Sequence, residues 1–437
     1  MSKKKRWVLA AIAVTVCLLS RGLQAQPVAI GTVREEPAAT LLLPYFEVDL
    51  GNPAGRLTRF WINNASATAI LAHVTIWSEM AVPVFAFNVY LTGYDRETIN
   101  MRGILQGALP QTASAGQDNV DQISPKGPLS QDINFASCTG TLPPAQLSAG
   151  DVAALQAALT GASSAMLGGK CAGRESPGTA RGFVTIDTVN NCTLRLPGDP
   201  GYFGAGGTGD ATNQNVLWGD FAYANGNAPI QGAPLVAIPA NATDPLTSTS
   251  GGYTFYGRLV DWNASDNRQP LATNFAARYV RGITEAIAWR DPKVAQQPFT
   301  CGTLPEWYPL GEEGIVIFDQ QEHPEVPTTY PVAPQPPNPG LVPFPVAAQT
   351  TLVGQGQAVN GVLPIGAFPV SFTSGWIYYN LNTTVIAAGS NPPADPAASQ
   401  AWLMTIRSVV GSAGPIGLVG GPATQLDSAA TPVHFIP

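Results

Sequence analysis

The chain has 437 residues, of which 45 are glycine and 40 are proline, and only 12% are charged, about half the charged fraction of an average soluble domain. A hydrophobic fraction of 45% is sufficient for a large core, so the composition excludes disorder as a description of the whole chain. Histidine, which often acts in catalysis, occurs only three times in the chain. The composition therefore names no reaction.

The first 25 residues have the pattern of a secretory signal peptide. Lys3–Arg6 form a basic start, Trp7–Leu19 is an apolar run, and the small residue Ala25 ends the segment. The apolar run is shorter than the ~20 residues that span a membrane, and no later segment is both long and apolar enough. We therefore predict cleavage near Ala25, no transmembrane anchor in the mature chain, and a location in the periplasm, on the cell surface or outside the cell.

Removal of this segment changes the charge balance of the protein. The mature chain keeps 17 basic and 29 acidic residues, so its net charge falls from −7 to −12. A protein of that charge repels phosphate backbones, and no cluster of lysine and arginine remains to offset the repulsion. We therefore exclude nucleic acid as a partner.

Four cysteines remain in the mature chain: Cys138, Cys171, Cys192 and Cys301. An even number of cysteines in an exported protein favours two disulfides. Three pairings are open, and nearest-neighbour pairing would join Cys138 to Cys171 and Cys192 to Cys301. A zinc site is the alternative, but no two of these cysteines have the C-x-x-C spacing that zinc sites use, so we predict disulfides.

Residues 40–92 contain four apolar runs of strand length that are rich in β-branched and aromatic residues. Each run is followed by residues that are typical of turns. Short strands at intervals of about ten residues favour an antiparallel sandwich or barrel, so we predict a mainly β protein of antiparallel β-sandwich-like architecture. The sequence Asn63–Ser66 turns easily and predicts a hairpin between the second and third runs.

Residues 109–180 differ in composition, being rich in Gln, Ser, Ala, Gly and Pro. We predict a long disulfide-bearing loop insertion here, with one short helix. Ser148 is a suitable N-cap, and Asp151 follows it three positions later, where a carboxylate favours the start of a helix. The apolar residues at helical spacing are Val152, Leu155 and Leu159.

The rest of the chain again favours strands, with a short helix at Thr273–Tyr279. Strands are predicted at Gly182–Val189, Val216–Tyr223, Pro234–Ile238, Tyr253–Trp262, Gly314–Asp319, Pro369–Phe372, Trp376–Leu381 and Trp402–Val410. Seven prolines between Pro324 and Pro339 cannot join a sheet interior and predict a linker. The predicted organisation is a signal peptide at 1–25, an N-terminal β region at 26–108, the insertion at 109–180, a second β region at 181–323, the linker at 324–340 and a C-terminal β region at 341–437.

Four sequence runs between residues 40 and 320 carry a resemblance: LLLPYFEVDL, WINNAS, TNFAARYV and CGTLPEWYPL. Together they resemble a group of uncharacterised exported bacterial proteins. The resemblance implies export and a β-rich fold, and it implies no activity.

One loop places oxygen ligands at alternate positions, as a hard cation such as Ca²⁺ requires. Its candidate ligands are Asp261, Asn263, Ser265 and Asp266. An EF-hand is excluded, because it would need glycine where Asp266 stands and glutamate where Ala272 stands. A looser calcium loop is the hypothesis, and its alternative is an ordinary turn that is rich in Asp, Asn and Ser.

No catalytic motif is intact in this sequence. Glu47 and Asp49 lie two positions apart on a predicted strand, about 7 Å along it, which is a spacing that glycoside hydrolysis uses, but no second signal supports catalysis. Gly204–Gly209 matches G-x-G-x-x-G without the preceding strand and following helix that dinucleotide binding requires, so we predict a surface loop. His73 lies in an apolar strand and is predicted to be structural. We assign no catalytic residue and no cofactor beyond the calcium hypothesis.

Aromatic side chains are the richest binding material in the chain. Trp376 and Tyr378 share one face of their strand, and Tyr379 points to the other. Such rings belong to a core if the face is covered, and they form a platform for a glycan or another protein if the face is open. We single out Trp376 and Tyr378 as candidate binding aromatics.

We predict an exported structural or adhesive protein, at the cell surface or outside the cell, without catalytic activity. The alternative is a secreted protein that binds or cleaves glycans. Self-association would support the first prediction, through an unpaired edge of Trp376–Leu381, which contains no charged residue and no proline. A pocket flanked by two acidic residues and an exposed tryptophan would support the second.

Overall fold

The computed structural model describes residues 36–118, 122–225, 231–242, 254–261, 265–311, 314–325, 343–355, 366–382, 400–411, 414–422 and 424–425. The predicted signal peptide at 1–25 lies outside the described residues, as do Asn263 and positions 326–340 of the predicted linker. All the described residues belong to one compact unit, Gly31–Pro437.

Strands dominate the described part of the chain, and the predicted mainly β, antiparallel fold is confirmed. The first nine strands are β1 (Thr40–Asp49), β2 (Arg56–Asn64), β3 (Ile70–Ser78), β4 (Pro83–Leu91), β5 (Arg96–Asn100), β6 (Thr179–Val189), β7 (Leu217–Asn225), β8 (Gln231–Pro234) and β9 (Val236–Ile238). The remaining strands are β10 (Asn274–Val280), β11 (Thr284–Arg290), β12 (Gly314–Asp319), β13 (Pro324–Glu325), β14 (Ala348–Leu352), β15 (Ser374–Asn380), β16 (Ala401–Gly411), β17 (Gly414–Pro422) and β18 (Thr424–Gln425). The helices are α1 (Met101–Leu105) and α2 (Ala149–Leu159), with 3-10 turns at Ala136–Cys138, Ala165–Leu167 and Gly257–Leu259.

These strands form four antiparallel sheets. Sheet 1 has the strand order β4-β3-β6-β1-β9, and sheet 2 has the order β5-β2-β7-β8. Sheet 3 has the order β14-β11-β16-β17, and sheet 4 has the order β13-β12-β15-β10-β18. Most neighbours in these sheets are distant in sequence, so the fold depends on long-range pairing.

Sheet 3 is a layer shared by two hydrophobic cores. Along β16, Trp402, Met404 and Ile406 belong to the core shared with sheets 1 and 2. The alternate residues Ala401 and Leu403 belong to the core between sheets 3 and 4, as the two-residue period of a strand requires. A strand that is covered on both faces has no need of polar positions, which explains the continuous apolar start of β16.

The insertion contains the predicted helix, α2. Ser148 is its N-cap and accepts a hydrogen bond from the backbone N–H of Asp151 (3.2 Å), while the Asp151 carboxylate accepts one from the backbone N–H of Ser148 (3.3 Å). Leu155 and Leu159 are buried in the first core. No helix in the described part of the chain is long and apolar enough to cross a membrane.

Two disulfides are present, as predicted, and each fastens the insertion to a later segment. Cys138 is bonded to Cys192 at a sequence separation of 54, and Cys171 is bonded to Cys301 at a separation of 130. The pairing is not the nearest-neighbour one. Each bond instead joins a cysteine of the insertion to one beyond β6, so both hold the loop against the sheets.

The hairpin predicted at Asn63–Ser66 is wrong. β2 pairs with β5 and β7 in sheet 2, whereas β3 pairs with β4 and β6 in sheet 1. The chain therefore crosses from one sheet to the other at this turn. The turn-forming residues are present, but β2 and β3 pair with strands of different sheets, so the turn joins two sheets and closes no hairpin.

Three other predicted elements are also wrong. The segment predicted as a helix at Thr273–Tyr279 forms β10, with alternate residues buried between sheets 3 and 4. Of the strand predicted at Tyr253–Trp262, the described residues 254–261 form turns and a 3-10 helix, and Pro369–Phe372 is not in a strand. In the first case long-range pairing overrides local preference.

Candidate functional site

The predicted calcium loop is described only in part. Asp261 lies in a turn with a positive φ of 55°, and Asp266 is fully buried, with its carboxylate accepting a hydrogen bond from the backbone N–H of Tyr256 (2.8 Å). Within the described residues, no group of three or more His, Cys, Asp or Glu side chains is placed to hold a metal ion. Calcium binding stays a prediction, with Asn263 outside the described residues.

The predicted binding aromatics Trp376 and Tyr378 lie on one half-buried face of β15, and Tyr379 is buried on the other. The Trp376 ring stacks on Phe318 at a centroid distance of 3.9 Å, and the Tyr378 hydroxyl donates a hydrogen bond to Asn274 (2.7 Å). One face of the Trp376 ring is thus covered by Phe318, and the Tyr378 hydroxyl is engaged by Asn274. β15 is also paired on both sides, with β10 and β12, so it offers no free edge for strand addition.

The paired carboxylates Glu47 and Asp49 are each held by structural partners. Glu47 accepts a hydrogen bond from the Tyr45 hydroxyl and lies 3.8 Å from the Arg56 guanidinium and 3.9 Å from that of Arg181. Asp49 accepts two backbone N–H groups of the following turn, at 3.0 Å each. Their side chains are thus engaged in holding β1 and its turn.

The glycine loop and the histidines have local roles. Gly204–Gly209 consists of turns and bends with no helix after it. His73 is fully buried, with Nδ1 3.1 Å from the Asn88 side-chain oxygen, and burial lowers its pKa. His323 is exposed and lies 2.8 Å from Asp319, while His434 lies outside the described residues.

The outer face of sheet 2 carries two tryptophans on neighbouring strands. In the β2–β7 register, Trp61 lies opposite Asp220 and Asn63 lies opposite Trp218. The two tryptophans are therefore diagonal neighbours, about 7–8 Å apart. Trp218 is 46% exposed, and Trp61 is half-buried. We call this surface the tryptophan face, and its members are Arg59, Trp61, Asn63, Arg96, Thr98, Trp218 and Asp220.

Alternation along the strands explains why these residues point outward. Phe60 and Ile62 on β2, and Phe221 and Tyr223 on β7, are buried in the first core. Side chains alternate between the two faces of a strand. Trp61 on β2, and Trp218 and Asp220 on β7, therefore face away from the core. The tryptophan face is thus the polar and aromatic side of a half-buried sheet.

Two contacts and one glycine fix the tryptophan face. The Arg96 guanidinium carbon lies 5.3 Å from the ring centroid of Trp61, within cation–π distance. The Asn63 side-chain amide donates a hydrogen bond to the backbone carbonyl of Trp218 (3.2 Å). A Cβ atom at Gly219 would overlap the Trp61 carbonyl and the Leu235 side chain, so the absence of a side chain there lets β7 lie close to both neighbours.

A pocket of about 360 Å³ adjoins the tryptophan face at Trp218. Trp218 and Asp220 form part of its wall, together with Glu36 and apolar residues of β1, β8 and β9 or of segments that adjoin the strands. We call it the Trp218 pocket, and it is lined by Glu36, Pro37, Leu41, Ala65, Trp218, Gly219, Asp220, Pro234, Leu235 and Ala237. It combines two acidic residues with an exposed tryptophan.

A buried polar network holds β1 where it lines this pocket. Leu41 lines the pocket, and its neighbour Thr40 points to the opposite face, where it donates a hydrogen bond to Asp187. Asp187 also accepts hydrogen bonds from the hydroxyls of Tyr202 (2.7 Å) and Tyr256 (3.0 Å). Burial, and then the charge of Asp187, raises the pKa of both tyrosines well above its usual value, so they stay neutral donors.

Arg268 completes the network from a distant segment. Its Nε donates a hydrogen bond to the Thr40 hydroxyl (3.0 Å), and its Nη2 lies 3.9 Å from Asp187. All of these side chains are fully buried. The network therefore has a structural role, joining β1, β6 and the segments around residues 202, 256 and 268.

None of the residues Trp61, Trp218 and Asp220 was predicted from the sequence as a site residue. The alternation in LWGDFAY separates Trp218 and Asp220 from the core residues Phe221 and Tyr223, and it was the available signal. It divides the residues between two faces, but it does not indicate which face is open to solvent.

Comparison of the chain with protein-family models, with curated proteins and with solved structures finds no match.

Proposed function

We propose that this chain is an exported, non-catalytic adhesive protein that binds a glycan on its tryptophan face. The observation that carries the proposal is the 46% exposure of Trp218 on an open sheet surface beside Trp61 and a pocket. The predicted adhesive role is kept in this proposal, and the glycan of the alternative prediction becomes its ligand.

The chemistry of the surface suits a sugar. The C–H groups of a pyranose ring form an apolar face that packs on a flat aromatic ring, and its hydroxyl groups need polar partners around the ring. Thr98 on β5 and Asp220 on β7 supply such partners, because both lie opposite Trp61 in the strand register. Covering the exposed 46% of Trp218 removes about 100 Å² of apolar surface from water, which is worth about 2 kcal/mol.

Glycan binding is favoured over cleavage and over self-association, because the residues that suggested those two functions are engaged in structural contacts. The carboxylates that suggested hydrolysis, Glu47 and Asp49, are engaged by structural partners. The strand that suggested self-association, β15, is paired on both sides. On the tryptophan face, by contrast, the Trp218 side chain is 46% exposed.

The test is a sedimentation assay of purified mature protein with insoluble polysaccharides: cellulose, chitin and peptidoglycan. The variants are Trp218→Ala and Trp61→Ala on the tryptophan face, and Trp376→Ala on β15. Leu129→Ala is the matched control, because Leu129 is 83% exposed and lies outside both surfaces. We expect the parent and Leu129→Ala to bind one polysaccharide equally, and Trp218→Ala to bind it at least tenfold more weakly.

Two results would overturn the proposal. One is that no polysaccharide retains the folded parent protein. The other is that Trp376→Ala abolishes binding while Trp218→Ala does not, which would transfer the site to the aromatics of β15. Circular dichroism of each variant confirms that the loss of binding is not a loss of fold.

A further inference from the structure

We propose that the tryptophan face selects a glycan that carries a carboxylate, and that Arg96 binds this carboxylate. The inference rests on the proposed glycan-binding function and specifies which class of glycan the face selects. Three observations support it: the setting of the Arg96 side chain, its position relative to Trp218, and the distribution of charged residues over the site.

The Arg96 side chain is exposed and already oriented. Its guanidinium carbon lies over the ring of Trp61, 5.3 Å from the ring centroid. A guanidinium that lies over an aromatic ring keeps the N–H donors in its own plane, and these match the two oxygens of a carboxylate. In the described part of the chain no ion pair engages Arg96. Binding of a carboxylate therefore requires little further ordering of this side chain.

Arg96 lies in one row with the exposed tryptophan of the face. In the strand register Arg96 of β5 is opposite Asn63 of β2, and Asn63 is opposite Trp218 of β7. Two strand spacings separate the backbones of Arg96 and Trp218, which is a distance of about 10 Å. This distance is comparable to the length of a disaccharide. A sugar ring that stacks on Trp218 therefore places the next sugar of the glycan beside Arg96.

The charged residues of the site favour an anion on the β5 side of the face. The face itself carries two arginines and one carboxylate: Arg59, Arg96 and Asp220. Asp220 and Glu36 line the Trp218 pocket, whereas neither arginine does. Arg59 is a second cation on the same side of β2 as Trp61, and its buried Nε has no hydrogen-bond partner among the described residues. A carboxylate is therefore favoured beside Arg96 and disfavoured in the pocket.

The overall charge of the protein opposes an anionic ligand only at long range. The net charge of −12 expected for the mature chain repels polyanions. Salt at physiological concentration screens exposed charges beyond about 8 Å, so the arginines of the face decide the binding of a single carboxylate. A glycan in which acidic and neutral sugars alternate therefore fits this surface better than a glycan with a charge on every residue.

The test compares a hyaluronan hexasaccharide, in which glucuronic acid alternates with N-acetylglucosamine, with the same hexasaccharide after methyl esterification of its carboxyl groups. Esterification removes the negative charges, while the sugar rings stay the same. Affinity is measured by isothermal titration calorimetry at neutral pH, at low and at high salt. We expect the parent protein to prefer the acidic form about tenfold at low salt, and the preference to decline at high salt because ions screen exposed charges.

The variants assign the preference to Arg96. Arg96→Gln should bind the two forms with equal affinity. Arg96→Lys keeps the charge but loses the planar pair of donors, so it should keep only part of the preference. Arg278→Gln is the matched control and should keep the full preference, because Arg278 is an exposed arginine that lies opposite Trp376 in sheet 4. Trp218→Ala should weaken binding of both forms.

The outcomes separate this inference from the function on which it rests. Equal affinity of the parent for the acidic and the esterified form would overturn the inference alone, as would a full preference in Arg96→Gln. Loss of the preference in Arg278→Gln but not in Arg96→Gln would also overturn it, since the carboxylate would then bind on sheet 4. Absence of binding to both forms overturns the inference, and the polysaccharide assay then decides the proposed function separately.

Discussion

Replacement of Asp266 by its neutral isostere should stabilise the protein in a pH-dependent way. Asp266 is fully buried, and burial raises its pKa to about 6 from 3.8, although hydrogen bonds and Arg268 partly oppose the shift. Asparagine keeps an oxygen that can accept the Tyr256 N–H bond, and it has no charge to desolvate. The Asp266→Asn variant therefore removes a cost that the parent protein bears only when the carboxyl is ionised.

The direction follows from proton binding. Between about pH 4 and pH 6 the folded protein holds a proton at Asp266 that the unfolded chain has already released, so the free energy of unfolding of the parent falls as the pH rises through this window. The rise of the pKa from 3.8 to about 6 corresponds to about 3 kcal/mol in the free energy of unfolding. Below the window both states are protonated and the cost vanishes, and above it the cost is constant.

Urea unfolding of the parent and of Asp266→Asn, in the presence of EDTA, measures this cost. The difference between the two proteins at each pH cancels the titration of all other groups. We expect the stabilisation by Asp266→Asn to be about 3 kcal/mol larger at about pH 7 than at about pH 4. A difference that is the same at both pH values would refute the assignment of a buried, desolvated carboxyl.

Three further predictions concern the cysteines, His73 and calcium. Thiol counting on denatured, unreduced protein should find no free thiol, and two or more free thiols would contradict the two disulfides. The double replacement of Cys171 and Cys301 by alanine should lower the free energy of unfolding by about 5 kcal/mol, in the chain-entropy description of a loop with a separation of 130. Because burial lowers the pKa of His73, His73 should lower the stability of the parent as the pH falls below about 6.5. Urea unfolding of His73→Gln should show less of this loss, and an identical pH profile would count against it. Millimolar calcium should raise the melting temperature if the loop at Asp261 binds it, and indifference to both calcium and chelator would end that hypothesis.

The fold could be predicted from the sequence where the signal is local. The capping residues of α2, Ser148 and Asp151, lie three positions apart and contact each other as the sequence indicates. The hairpin at Asn63–Ser66 failed because a turn sequence does not specify which strands pair after it. The shared position of sheet 3 was equally out of reach, since a run such as that of β16 predicts a covered strand but not two separate cores.

The candidate site, like the fold, could be predicted only where the signal lies within one strand. The two-residue period correctly assigned Trp376 and Tyr378 to one face of β15 and Tyr379 to the other. It could not show that Phe318 stacks on Trp376, because the partner lies on another strand. The Trp218 pocket joins segments around residues 36, 65, 218 and 235, and no local pattern brings those segments together.

A crystal structure of the mature protein with a bound hexasaccharide of the polysaccharide that it retains would test the central claim most directly. We predict a sugar ring stacked on the indole of Trp218, with the oligosaccharide continuing over Trp61. Sugar density that is confined to the aromatics of β15, with none over Trp218, would contradict it.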